Sequence, residues 1–128
     1  MEKALNELLD RIVADYRKWS EASKAASGYT FDLDEKVEEF KNALVIKEGS
    51  KYIKIISGTS VWGFVNKGNP KFEEGDLLKA ANWRAPATNR PRGNIFGKYT
   101  VAWTGPHYIA GYSAGGKRGV DPQGLLRR

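Results

Sequence analysis

Apolar residues near the start of the chain recur at helical spacing. Leu5, Leu9, Ile12, Tyr16 and Trp19 fall on one narrow face, Ser23 and Ala26 continue the register, and Leu8 and Val13 widen it. This predicts one long helix over residues 2–27. Glu7, Asp10, Arg11, Arg17, Lys18 and Glu21 supply a mixed, solvated outer face. Gly28 is the expected stop, because glycine readily takes the left-handed conformation at a helix end. The stripe can be buried in two ways, on the chain's own sheet or against a second copy. Its a/d-like spacing favours a partner copy, although Tyr16 and Trp19 are poor zipper residues.

A second, shorter helix is expected near 33–43, capped by Asp32 or Asp34, with Leu33, Val37, Phe40 and Leu44 on one side. Glu35, Glu38 and Glu39 read as a solvated face rather than a metal site. The period then changes. Val45 and Ile46 precede a turn-like KEGS group, residues 47–50. Tyr52, Ile53, Ile55 and Ile56 mark a strand, SGTS is a turn, and VWGFV (61–65) is the next strand, giving an antiparallel meander. Gly63 between Trp62 and Phe64 signals a bulge or a close approach. Residues 72–80 read as a short strand in preference to a helical turn. YTVAW (99–103) reads as another strand, which Tyr108 and Ile109 continue beyond Gly105 and Pro106. The expected fold class is therefore α+β. A long N-terminal helix and a short second helix precede a small antiparallel β-sheet core with a basic loop.

The length of 128 residues fits a single domain. Within it, 1–44 is read as a helical oligomerisation part, 45–112 as a β-rich ligand-binding core and 113–128 as a flexible basic tail. With no cysteine, disulfides and thiolate metal sites are excluded, and the single histidine, His107, argues against imidazole-rich ones. No apolar run has the length of a membrane span, and MEKALNELLD is unlike a signal peptide, so a cytoplasmic location is expected. The net charge of +6 is segregated. Residues 1–81 hold 13 Lys+Arg and 14 Asp+Glu, whereas 82–128 hold 8 Lys+Arg and one acid, Asp121. A segregated excess points to a localised anionic partner.

The stretch Asn82 to Lys98, NWRAPATNRPRGNIFGK, carries Arg84, Arg90, Arg92 and Lys98 and no acid. Pro86, Pro91 and Gly93 oppose a long helix or a central strand, so a loop is expected. Its guanidinium forks would hold phosphate, and Trp83 or Phe96 would stack on a base. Asn89 and Asn94 would select base or ribose edges, and Gly93 would let the backbone approach closely. The competing reading is a surface loop whose Trp83 and Phe96 plug the core.

Catalytic motifs fail. Residues 111–115, GYSAG, match the pattern around a hydrolase serine, here Ser113, but no helix signal and no later histidine follow. The GGKRG run at 115–119 lacks the spacing of a phosphate-binding P-loop. His107 reads as a packing or hydrogen-bonding residue, and no carboxylate pair lies near the basic loop. A non-enzymatic binder without cofactor or metal is the expectation. Clustered basic residues favour a small nucleotide over nucleic acid, which would want cations tracked along an extended surface. A structural or host-protein-binding module is the third reading.

The layout of a long helix before a β-rich core bearing Asn82-Trp83-Arg84, Arg90 and Arg92-Gly93-Asn94-Ile95-Phe96 resembles the phage Thoeris anti-defence proteins. That resemblance implies sequestration, without cleavage, of cyclic ADP-ribose-type signals or cyclic oligonucleotides. It also implies helix-mediated homo-oligomers with ligand sites between subunits, acting in a host cytoplasm.

Overall fold

The computed structural model describes residues 1–28, 31–88 and 90–107. Two helices, α1 (Glu2–Ser27) and α2 (Leu33–Asn42), precede a four-stranded antiparallel sheet. Its strands are β1 (Leu44–Glu48), β2 (Tyr52–Ser57), β3 (Ser60–Asn66) and β4 (Leu77–Leu78), adjacent in chain order. A separate hairpin pairs β5 (Val101–Ala102) with β6 (Gly105–Pro106). The α+β class expected from periodicity is the class observed.

α1 ends at Gly28 in the left-handed conformation, its amide donating to Lys24. α2 is capped by Asp32, whose carboxylate accepts from the Glu35 amide. It stops at Asn42, so Leu44 opens β1 instead of closing the helix. β1 also runs through Lys47 and Glu48, and the turn falls at 49–51, where the Gly49 amide donates to the Tyr52 carbonyl.

The first turns of the helix stripe are buried within the chain. Leu5, Leu8 and Ile12 share one core with Ile53, Ile55, Trp62, Val65, Leu77, Ile95 and Tyr99. Further along α1, Tyr16 stacks on Phe40 at 4.1 Å and meets Trp103 edge-on at 5.3 Å. Trp19 packs beside Trp103 at 5.0 Å and stays 48% exposed. The Trp103 amide donates to Asp15, which joins the β5–β6 hairpin to the helix. Burial raises the pKa of the Tyr99 phenol, while Arg11, 4.5 Å above its ring, pulls it back.

Two strands are shorter than their sequence suggests. Residues 67–76 are held as a loop by side chains at the two ends of the segment. Asn66 donates to the Asn69 and Glu73 carbonyls, and Asp76 accepts from the Glu73 amide and from Asn94. These bonds leave only Leu77 and Leu78 for the sheet. The YTVAW strand is cut to Val101–Ala102 because Trp103 and Thr104 form a turn, and Gly105–Pro106 then becomes a strand instead of an interruption. Continuation through Tyr108 and Ile109, the Ser113 motif and the basic tail lie outside the described residues.

The bulge expected at Gly63 is present. Ile55 pairs with Gly63 and Ile56 with Val61, leaving Trp62 as the extra residue. A β-carbon on Gly63 would lie 3.1 Å from the Leu78 carbonyl and 3.3 Å from Pro106, so close approach matters as well. The bulge lets Trp62 and Val65 both enter the helix-side core. Its indole donates to the Ala102 carbonyl at 2.9 Å.

Candidate ligand-binding site

The second face of the sheet carries the chemistry. Residues alternate across a strand, so Ile53 and Ile55 face the helix while Tyr52, Lys54 and Ile56 face outward. On β3 the outward residues are Phe64 and, because of the bulge, Val61. Phe64, Phe72 and Leu78 form a second small core there, flanked by Tyr52, Val61 and Ala80.

One end of this face is a cleft of about 360 Å³ lined by Lys47, Lys51, Lys54 and Arg84 around Tyr52 and Phe64, with Glu48, Gly49 and Ser50 as its wall. Tyr52 and Phe64 meet edge-on at 6.0 Å, and the Tyr52 hydroxyl accepts from Asn69 at 2.7 Å, so the floor is fixed. Lys47 and Lys54 are directly paired across β1 and β2. Like charges placed opposite each other are unfavourable, and an anion between them removes the cost. The one acid in the lining, Glu48, is bound to Lys67. Among the described residues, no carboxylate pairs with the side chains of Lys47, Lys51, Lys54 or Arg84.

Arg84 reaches the cleft because of how its loop folds. The Asn82 carboxamide accepts from the amides of Arg84 and Ala85, closing a tight turn with Trp83 and Arg84 at its tip. The Ala80–Pro86 bridge and the bond from the Ala87 amide to the Lys79 carbonyl hold the base of the turn. Trp83, 49% exposed, lies under the Lys54 ammonium at 4.2 Å. The cleft thus has a flat ring at its edge, already in contact with a cation.

Of the remaining residues expected to act with Trp83 and Arg84, Arg92, Gly93, Asn94 and Phe96 are not in the lining of this cleft. Arg90 is half-buried. Arg92 lines a different cleft, near β6. Gly93 is buried, and its carbonyl accepts from the Leu77 amide while the Arg92 amide donates to the Leu77 carbonyl. The loop therefore covers the outer edge of β4. The Asn94 side chain is engaged by Glu74, Asp76 and the Phe96 amide. Phe96 lies over Gly75 and is 53% exposed. Ile95, between them, is the residue that enters the core, a role neither Trp83 nor Phe96 takes. Asn89 lies outside the described residues.

Sequence reading missed Lys47, Lys51, Lys54, Tyr52 and Phe64 as site residues. The signal was present in KEGSKYIK, because a hairpin closed at Gly49 sets Lys47 against Lys54. Among the described residues, no three acids or histidines are grouped to hold a metal ion, and no helix is long and apolar enough to cross a membrane.

Residues 1–109 match the model of a family described as a family of unknown function, DUF7717. No curated protein and no solved structure matches the chain.

Proposed function

We propose that this chain, which belongs to the family of unknown function DUF7717, binds a small anionic nucleotide in the outer cleft of its sheet and holds it without transforming it. The observation that carries this reading is the set of Lys47, Lys51, Lys54 and Arg84 around the Tyr52–Phe64 floor, with Trp83 at the rim. Arg84 and the paired lysines take the phosphate, and Trp83 takes the base face as Lys54 moves to the anion. The one acid in the lining, Glu48, pairs with Lys67, and the lining holds no second carboxylate to complete an acid–base pair. Sequestration of a signalling nucleotide, of the cyclic ADP-ribose type or a cyclic oligonucleotide, is the biological role we assign to this binding.

Thermal-shift screening of cyclic ADP-ribose, cyclic di- and trinucleotides and linear nucleotides tests the reading, because a ligand of the folded state raises its apparent stability. Calorimetry should then show saturation at a fixed ratio per chain, with a shallow salt dependence. Losing the charge-assisted bonds of Arg84 in Arg84→Gln should weaken binding roughly 10- to 100-fold, on the order of 1.5–3 kcal/mol. Arg11→Gln, on the helix and paired with Glu7, should leave affinity unchanged. No stabilisation by any nucleotide, or equal binding by the Arg84→Gln protein, would sink the reading.

A further inference from the structure

The two edges of the sheet differ. β4 is covered, since the Leu77 amide donates to the Gly93 carbonyl and the Leu77 carbonyl accepts from the Arg92 amide. β1, at the other end of the sheet, pairs only with β2 among the described residues. The bonds at the two ends of β1 fix which of its groups are used. The Gly58 amide donates to the Ala43 carbonyl, and the Gly49 amide donates to the Tyr52 carbonyl. Antiparallel bonding alternates along a strand, so Val45 and Lys47 bond to β2 while Leu44, Ile46 and Glu48 turn their amides and carbonyls outward. Among the described residues, no backbone group meets these six.

Native edges are commonly blunted by proline, a bulge, charge or a covering segment. β1 contains no proline and pairs in unbroken register, and its charges, Lys47 and Glu48, sit at one end. Val45 and Ile46 are 46% and 36% exposed.

We infer that the open edge of β1 docks an extended peptide carrying an acidic residue, which joins the sheet as a further strand. The backbone dictates the extended form, because an added strand matches outward groups repeating at every second residue. Charge dictates the acid. Lys47 lies directly beside Lys54 on the outer face, and no carboxylate pairs with either among the described residues. A carboxylate on the added strand opposite Lys47 offsets that like-charge pair. Val45 on the same face and Ile46 on the helix face favour apolar neighbours. A second copy paired antiparallel through the same three residues would set its own Lys47 opposite Val45, adding like charge to that face. The docking uses backbone groups outside the nucleotide cleft, so it stands apart from the nucleotide reading.

The test titrates isotope-labelled protein, without nucleotide, with the acetylated and amidated peptide STEVITS. In the antiparallel register its glutamate falls opposite Lys47 and its valine opposite Ile46. Binding should slow hydrogen exchange at the Leu44, Ile46 and Glu48 amides, whereas those of Val45 and Lys47 are already bonded to β2. The neutral peptide STQVITS should bind roughly two- to fivefold more weakly, and Lys47→Gln should erase that difference. Ile46→Pro removes an outward amide and none of the bonds to β2, and it should weaken binding at least roughly tenfold. Its amide spectrum away from β1 reports whether it has folded. N-methylation of the peptide valine leaves the protein untouched and should weaken binding as much. The inference is overturned if STEVITS does not bind at millimolar concentration, if the three amides exchange as before, or if the N-methylated peptide binds as well. Equal affinity for STEVITS and STQVITS overturns the acidic preference. A protein that dimerises unaided through these amides assigns the edge to a second copy and overturns the inference as well.

Discussion

Ile12→Ala should lower the unfolding free energy by about 2–5 kcal/mol, the range for truncating a buried aliphatic side chain. Ile12 is fully buried in a cluster with residues of β2, β3 and β4 and with Ile95 of the basic loop. The substitution removes the transfer free energy of the lost methyl and methylene groups and leaves a cavity that the helix and sheet only partly close. The measurement is urea unfolding at two protein concentrations. Because the packing partners lie in the same chain, the midpoint should be equally low at both. A variant that unfolds with the parent, or a parent midpoint that climbs with concentration, would relocate the stripe to a seam between copies.

Gly93→Ala is the second large effect, and it bears on why a glycine stands in the basic loop. Gly93 has φ 143, and a β-carbon there would lie 2.8 Å from both the Lys98 carbonyl and the Tyr99 β-carbon. Backbone strain and overpacking each cost about 1–3 kcal/mol, so a loss of roughly 2–4 kcal/mol is expected. Gly97→Ala is the control. Nothing lies within 4 Å of its β-carbon, and a change of about 0.5 kcal/mol or less is expected. From sequence, Gly93 was expected to admit a ligand, whereas the packing assigns it to the chain itself. A Gly93→Ala protein of parental stability that has lost nucleotide affinity would restore the ligand-based explanation.

The same contrast runs through the rest of the loop. Its lack of helix and long strand follows from Pro86, Pro91 and Gly93, and it is visible without coordinates. Its division of labour is not. Asn82 and Asn94 look alike as carboxamides in a basic segment, yet each closes a turn, at Arg84 and Ala85 and at Phe96. Local side-chain bonds of this kind compete with ligand contacts for the same groups. Arg84 and Arg92 line different clefts, and the mini-hairpin at 79–87 is what carries Arg84 to the first of them.

Residue totals were misleading about the cleft in a related way. The basic excess falls after residue 81, but Lys47, Lys51 and Lys54 come from the nearly neutral part of the chain. A sum over a segment counts Glu48 against Lys47 although Glu48 is bound to Lys67. Charge that cancels along the chain therefore does not cancel on one side of the sheet.

What the sequence by itself determined is the order and type of the elements: the long helix and its Gly28 stop, the capped second helix, the hairpin strands, the bulge and the irregular basic segment. These follow from periodicity, capping and backbone restriction, which act over a few residues. Only the tertiary structure decided that the first turns of the helix stripe are buried in this chain, that Ile95 enters the core, and that Trp83 and Arg84 meet the hairpin lysines. Such meetings depend on strand register and on where a loop's carboxamides and carbonyls find partners, and neighbours in sequence carry no record of either.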